Sequence, residues 1–228
     1  MKATTNAPKT RTYDSEATKS RIFAAAATEF AQYGIAGARV DRIAAQAQAN
    51  KQLIYSYFGN KEELFAAVLQ QKLEQLAAAI TLNPERVPEY VGELFDFHIA
   101  NPETMRLVFC EGLLYGDRAV PNEVARTEHY HKKAATIAAS QAQGLTDANL
   151  DARHLAFMLL SLAGWWFAVP QVARMLVVSN GDSDALAQYR VHIVEAARRI
   201  VNAQTQLAGE LAHTSRTTTK AKKPSQKS

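Results

Sequence analysis

Between Val40 and Phe58 two short helical patterns are separated by only three residues, and this spacing restricts the fold more than any other stretch. The first pattern runs from about Val40 to Gln46 and puts Val40, Ile43, Ala44 and Ala47 on one side. The turn is Ala47-Gln48-Ala49. Asn50 follows as an N-cap, because its side-chain oxygen accepts a free amide at the next helix start. The second pattern carries Lys51, Gln52, Tyr55 and Tyr57, with Leu53, Ile54 and Phe58 available for packing. Two short helices across a tight turn, with polar and aromatic side chains on the second, form the helix-turn-helix plan. Its second helix lies in the DNA major groove.

Ile43-Ala44, Asn50-Lys51, Tyr55-x-Tyr57-Phe58 and Asn60-Lys61-Glu62-Glu63-Leu64 resemble the N-terminal DNA-binding domain of TetR/AcrR-type transcriptional regulators, most strongly over residues 18–70. The chain departs from that pattern in three places. Gln48 stands where the family usually has Gly, Ala49 where Val is common, and Ala38-Arg39 where Thr or Ser is usual. Gln48 strains the turn if its φ is positive, since a Cβ is costly there. Arg39 changes how phosphate is gripped. The resemblance implies a homodimer whose last two helices pair into a four-helix bundle. It also implies a C-terminal domain for a small, mainly apolar effector, and a repressor of a palindromic operator. Pro170 followed by Gln171-Val172-Ala173-Arg174 looks like one subgroup of the family.

The expected class is all-α, with a three-helix helix-turn-helix domain and a C-terminal helical bundle, about nine helices in all. Alanine is abundant, and Gly (10) and Pro (7) are sparse in 228 residues. The single Cys110 rules out an internal disulfide and fits a reducing cytoplasm. Residues 1–20 lack an apolar signal core. Leu155–Val169 is interrupted by Ser161 and Gly164 and is shorter than the roughly 20 residues a membrane span needs. The net charge of +4 is unevenly spread. Residues 1–13 carry Lys2, Lys9 and Arg11 and no acid, and residues 212–228 carry Arg216, Lys220, Lys222, Lys223 and Lys227 and no acid. Taking these eight from the chain's 26 Lys and Arg leaves 18 against 22 Asp and Glu. Within that acidic middle, residues 34–61 are basic, with Arg39, Arg42, Lys51 and Lys61 against Asp41. Such a distribution fits a DNA contact surface at one end of the molecule.

Along the chain, residues 1–13 read as a disordered basic arm, either solvated or touching DNA beside the site. Asp14 or Ser15 caps a first helix with Ile22, Phe23, Ala26, Phe30 and Tyr33 at helical spacing, ended by Gly34. Asn60 to Glu63 is a capping box for a helix through about Ile80, which connects residues 14–63, the DNA-binding domain, to residues 64–211, the effector-binding and dimerisation domain. Five more helices are expected from Pro88: one starts at Asn101-Pro102, one at Pro121-Asn122 and ends at Gly144, one is capped by Asp151 and stopped or kinked by Pro170, and the last spans Asp184 to Leu211. Asn180-Gly181-Asp182 is a turn, and residues 212–228 a disordered basic tail.

Candidate base contacts are Lys51 and Gln52, just after the Asn50 cap, with Tyr55 one turn on. Arg39, Arg42, Tyr57 and Lys61 are candidates for the backbone, Lys61 because a helix start and a cation both favour phosphate. Tyr57 is equally well a packing residue. For the effector, Phe109, Met158, Trp165 and Trp166 offer apolar lining and His98 and Arg106 offer polar anchors; each also fits an ordinary core. His129 and His131 lie two apart and face opposite ways on a helix, so no metal site is expected. No cofactor is implied. There is no phosphate loop, nucleophile elbow or His-Glu-x-x-His, so no enzyme is expected, and Cys110 reads as an inert thiol. The alternatives are an effector-independent architectural DNA-binding protein and a helical interaction scaffold.

Overall fold

The computed structural model describes residues 9–178 and 184–202, with side chains from residue 15 onward. Among the described residues there are ten helices and no strand: α1 (Lys9–Gly37), α2 (Val40–Ala47), α3 (Lys51–Phe58), α4 (Lys61–Ala79), α5 (Val87–Ala100), α6 (Pro102–Tyr115), α7 (Glu123–Ala142), α8 (Ala152–Ala168), α9 (Pro170–Leu176) and α10 (Ala185–Val201). The all-α class is as expected. The tenth helix arises because Pro170 opens α9 as well as stopping α8, and the two axes turn through 85°. No single described helix is long and apolar enough to cross a membrane. Residues 1–8, the Asn180-Gly181-Asp182 turn, the stretch beyond Asn202 and the 212–228 tail lie outside the described residues.

Two expected helix starts are different in the structure. α1 begins at Lys9, inside the segment read as an unstructured arm, so Asp14 and Ser15 are helix residues and not its cap. Asn101 precedes α6 but makes no side-chain cap; its amide donates back to the Phe97 carbonyl at 3.0 Å. Gly34 breaks α1 as expected, with φ 64° and ψ 177°. Asp151 caps α8, accepting from the Arg153 amide at 2.8 Å.

The fold divides into two compact units. One comprises the described residues up to Ile80, Phe97–Ala125 and Phe167–Pro170; the other comprises Thr81–Asp96, Arg126–Trp166 and the described residues from Gln171. The first unit is larger than the 14–63 segment. In it α1 packs against α2, α4 and α6. Ile22, Ala26, Phe30, Ile43, Ile54, Leu64, Phe65, Val68 and Leu107 form its core, with the Phe30 and Phe65 rings edge to face at 5.3 Å. Lys72 on α4 pairs with Glu103 on α6 at 2.5 Å. Cys110 packs against this core, and burial pushes its thiol pKa up. In the second unit Phe95, Trp166 and Tyr189 form an aromatic cluster, the last two with centroids 4.7 Å apart. α5 approaches α10 at Gly92, where a Cβ would stand 2.9 Å from Val194 Cγ2.

The turn between α2 and α3 shows the strain expected of Gln48. Its φ of 51° and ψ of 46° are left-handed. The Ala49 amide donates to Ala44 O at 2.9 Å and the Gln48 amide to Ala45 O at 3.2 Å, the pair of bonds that closes a helix in a Schellman motif. A residue with a Cβ is therefore held where glycine rests more easily. Gln48→Gly is expected to stabilise the protein by up to about 1 kcal/mol, read as a raised thermal midpoint; an unchanged or lower midpoint contradicts the strain.

Candidate nucleic-acid interface

α3 is presented by its own packing. Ile54 is buried in the core and Phe58 meets Phe23 edge to face at 5.2 Å, which anchors one side of the helix. Lys51, Gln52, Tyr55 and Ser56 are exposed on the others. Asn50 caps the helix as expected, its Oδ1 accepting from the Gln52 amide at 2.8 Å. This fixes the start of α3 and with it the directions of Lys51 and Gln52. Asn60 does the same for α4, accepting from the Glu63 amide at 2.8 Å. Lys61, next in line, is half-buried and its Nζ donates to the Ala38 carbonyl at 3.5 Å.

α2 is held by a charged residue that sequence reading did not single out. Glu29 lies on α1 and is 5 % exposed. Its Oε1 accepts from the Arg39 amide at 2.8 Å, at the open N-terminus of α2. The Arg42 Nε donates to both of its oxygens, at 2.8 and 3.1 Å. Arg42 also donates to the Gly37 carbonyl at 3.0 Å and lies over the Tyr33 ring at 4.3 Å. Burial pushes the Glu29 pKa up, but the bonds from Arg42 and the Arg39 amide outweigh it and leave the carboxyl below its ordinary value. The signal that could have found Glu29 is an acid one residue from Phe30 inside an apolar stripe.

Two of the residues expected to contact the DNA backbone have partners within the protein. Arg42 turns its guanidinium onto Glu29 and Gly37, so it braces α2. Tyr57 is half-buried, its hydroxyl 3.1 Å from Ser15 Oγ and its ring beneath the Lys19 ammonium at 5.4 Å, so it packs α3 onto α1. Arg39 is exposed at the head of α2. Lys51 pairs with Asp41 at 2.8 Å, and each raises the preference of the other for its charged form.

The effector candidates fall in both units: His98, Arg106 and Phe109 in the first, Met158, Trp165 and Trp166 in the second. Arg106, Phe109, Met158 and Trp165 are exposed in the single chain. Trp166 is half-buried in the aromatic cluster. His98 is buried, its Nδ1 has no hydrogen-bond partner, and its ring lies 5.6 Å from that of Phe167. Burial pushes its pKa down to about 4, so the imidazole is neutral at pH 7. Thr104, in the same unit, is also buried with an unpartnered hydroxyl.

Two family models match this chain: bacterial regulatory proteins of the tetR family over residues 22–68, and the tetracyclin repressor-like C-terminal domain over residues 86–199. A relative from Streptomyces coelicolor, the HTH-type transcriptional repressor SCO4008, is 49% identical over 191 residues, covering 83% of this chain and 97% of its own. The crystal structure of SCO4942, also from Streptomyces coelicolor, superposes with a TM-score of 0.71 at 32% identity, over 81% of this chain and 98% of that one. The regulator FadR from Bacillus subtilis, in complex with stearoyl-CoA, has a TM-score of 0.62 at 17% identity, covering 80% and 99% of the two chains, a likeness of fold alone.

Glu29→Gln is expected to lower stability by about 2 kcal/mol, because it leaves Arg42 without its counter-charge and weakens the Arg39 amide contact. The pH dependence follows from the lowered carboxyl pKa. Its stabilisation is complete above the ordinary value of 4.5 and is lost as pH falls through the lower folded value. Thermal melts of the variant should therefore converge on those of the wild type at acid pH; a constant gap from pH 7 to pH 3 contradicts the assignment.

Proposed function

The chain belongs to the tetR family of bacterial regulatory proteins and is a DNA-binding transcriptional repressor, and from that premise we propose that it acts in the cytoplasm as a homodimer on a palindromic operator, released by a small, mainly apolar effector. The observation that carries the reading is the disposition of α3. It buries Ile54, is capped by Asn50, and leaves Lys51, Gln52 and Tyr55 outward. Lys51 and Gln52 read base edges, Tyr55 reaches a phosphate or a thymine methyl, and Arg39 and Lys61 grip the backbone. The action is binding, with no catalytic step. Functionally, residues 14–63 bind DNA and residues 64–211 dimerise and take the effector.

One helix-turn-helix offers limited contact, and two-fold symmetry doubles it. α8 and α10 supply the subunit contact. Leu155, Leu159 and Ala163 bury one side of α8, whereas Phe157 is 72 % and Trp165 57 % exposed, and Val191 on α10 is 64 % exposed. Large apolar side chains left exposed on these two helices suit an association surface. For the effector, neutral His98 and the Thr104 hydroxyl are buried groups able to exchange hydrogen bonds with an uncharged ligand.

Fluorescence anisotropy against DNA from upstream of the protein's own gene, with scrambled DNA of equal length, tests the DNA-binding reading at two salt concentrations. The expected preference is on the order of 10³-fold. Gln52→Ala should alter base preference, and Lys61→Ala should weaken all sequences alike; uniform losses for Gln52→Ala sink the assignment. Sedimentation tests the subunit contact. Phe157→Asp should shift the dimer towards monomer, and an unchanged dimer moves the interface elsewhere.

A further inference from the structure

We propose that Asp41 is a specificity-determining residue of the DNA interface, acting by positioning the Lys51 ammonium and withholding it from the phosphate backbone. This rests on the reading that α3 enters the major groove. Asp41 is the second residue of α2 and Lys51 the first of α3, and their charged ends are 2.8 Å apart across the front of the motif. Both side chains stay open to solvent, 59 % and 46 % exposed, and an exposed pair of this kind adds little to stability. The position is also a poor one for a lysine. The positive end of the α3 dipole disfavours a cation there, while the same end of α2 favours the acid. Asp41 offsets the first effect and benefits from the second.

The charge pattern of the motif gives the pair its consequence. Of the basic residues between Arg39 and Lys61, Arg42 is held by Glu29 and Lys51 by Asp41. Arg39 and Lys61 form no ion pair among the described residues. At the leading end of α3 the lysine charge is thus offset by a carboxylate. A free lysine is a point charge on a flexible stem and settles on any phosphate within reach. Phosphate contacts release counterions and strengthen binding to every sequence, but carry no sequence information. Held by Asp41, the ammonium has one direction fixed and its other N–H groups remain for acceptors on a base edge, such as guanine O6 and N7. The same lysine then contributes to discrimination more than to general affinity.

The full-length protein tests this with an operator selected from a random-sequence pool, scrambled DNA of equal length, and anisotropy over a range of salt. Asp41→Asn should tighten binding to scrambled DNA about fivefold or more at low salt. It should steepen the dependence of log K on log salt by about 0.9, the effect of one further phosphate contact. The operator preference should fall about tenfold. Asp41→Glu, which keeps the charge, should restore most of that preference. In a Lys51→Gln background Asp41→Asn should produce neither the gain nor the steeper slope. An unchanged slope or preference in Asp41→Asn overturns the proposal, as does an equal gain in the Lys51→Gln background, which would mean that Asp41 acts by its own repulsion alone. If Lys51→Gln alone changes neither operator affinity nor slope, the reading of α3 fails, and the proposal fails with it. A loss in Lys51→Gln beside an unaffected Asp41→Asn leaves that reading standing and removes the proposal.

Discussion

The start of the helix-turn-helix is set on its scaffold by one buried carboxylate. Glu29 accepts from the free Arg39 amide at the start of α2 and from the Arg42 guanidinium one turn later, so both an orphan donor and a cation are satisfied by a single group on α1. The apolar contacts of Ile43, Ala44 and Ala47 bury the face of α2, but apolar packing is non-directional and tolerates sliding. The hydrogen bonds have fixed lengths and directions, and they set where along α1 the helix begins. From there the turn at Gln48 and the Asn50 cap fix the start of α3 in sequence. The direction of the outward side chains of α3 therefore descends from a buried residue of α1.

The polar contacts of this region fall into two kinds. Glu29 with Arg42, Arg21 donating to the Ala47 carbonyl at 3.1 Å, and Tyr57 with Ser15 tie α2 and α3 to α1. They hold the frame. Asn50, Gln52, Tyr55, Arg39 and the Asp41–Lys51 pair face outward. The distinction matters because composition treats all these charges alike. Four basic residues against one acid describe the 34–61 stretch correctly, yet one of those four, Arg42, is part of the frame.

What the sequence made legible follows from the range of each interaction. The α2 and α3 boundaries, the Asn50 and Asn60 caps, the Gly34 break and the left-handed Gln48 are local features, set within a few residues, and the structure has them where the pattern places them. Pro170 ends α8 where the pattern places a stop or kink, whereas its second role as the opening residue of α9 has no local signal, because the seven residues Pro170–Leu176 are too few to show a helical period. Asn101 looked like a cap by position and instead bonds back into α5. The inward turn of Arg42 onto Glu29, 13 residues away, and the Tyr57–Ser15 contact, 42 away, depend on how helices pack, for which no spacing rule exists. The effector candidates suffered most, since an apolar helix looks the same whether its side chains line a cavity, fill a core or await another subunit.

α6 carries a consequence for how such a protein can be divided. Its Leu107 is fully buried in the same core as Phe30 and Phe65, and its Glu103 closes an ion pair with Lys72. The unit that contains the helix-turn-helix is therefore completed by a segment from the middle of the chain, more than twenty residues beyond the end of α4. A fragment cut after Ile80 would keep every residue of the helix-turn-helix and lose one wall of its core. Recombination that exchanged N-terminal heads between relatives would have to carry, or rebuild, the complementary surface of α6. For this chain the natural unit of exchange is a packed set of helices that is discontinuous in sequence.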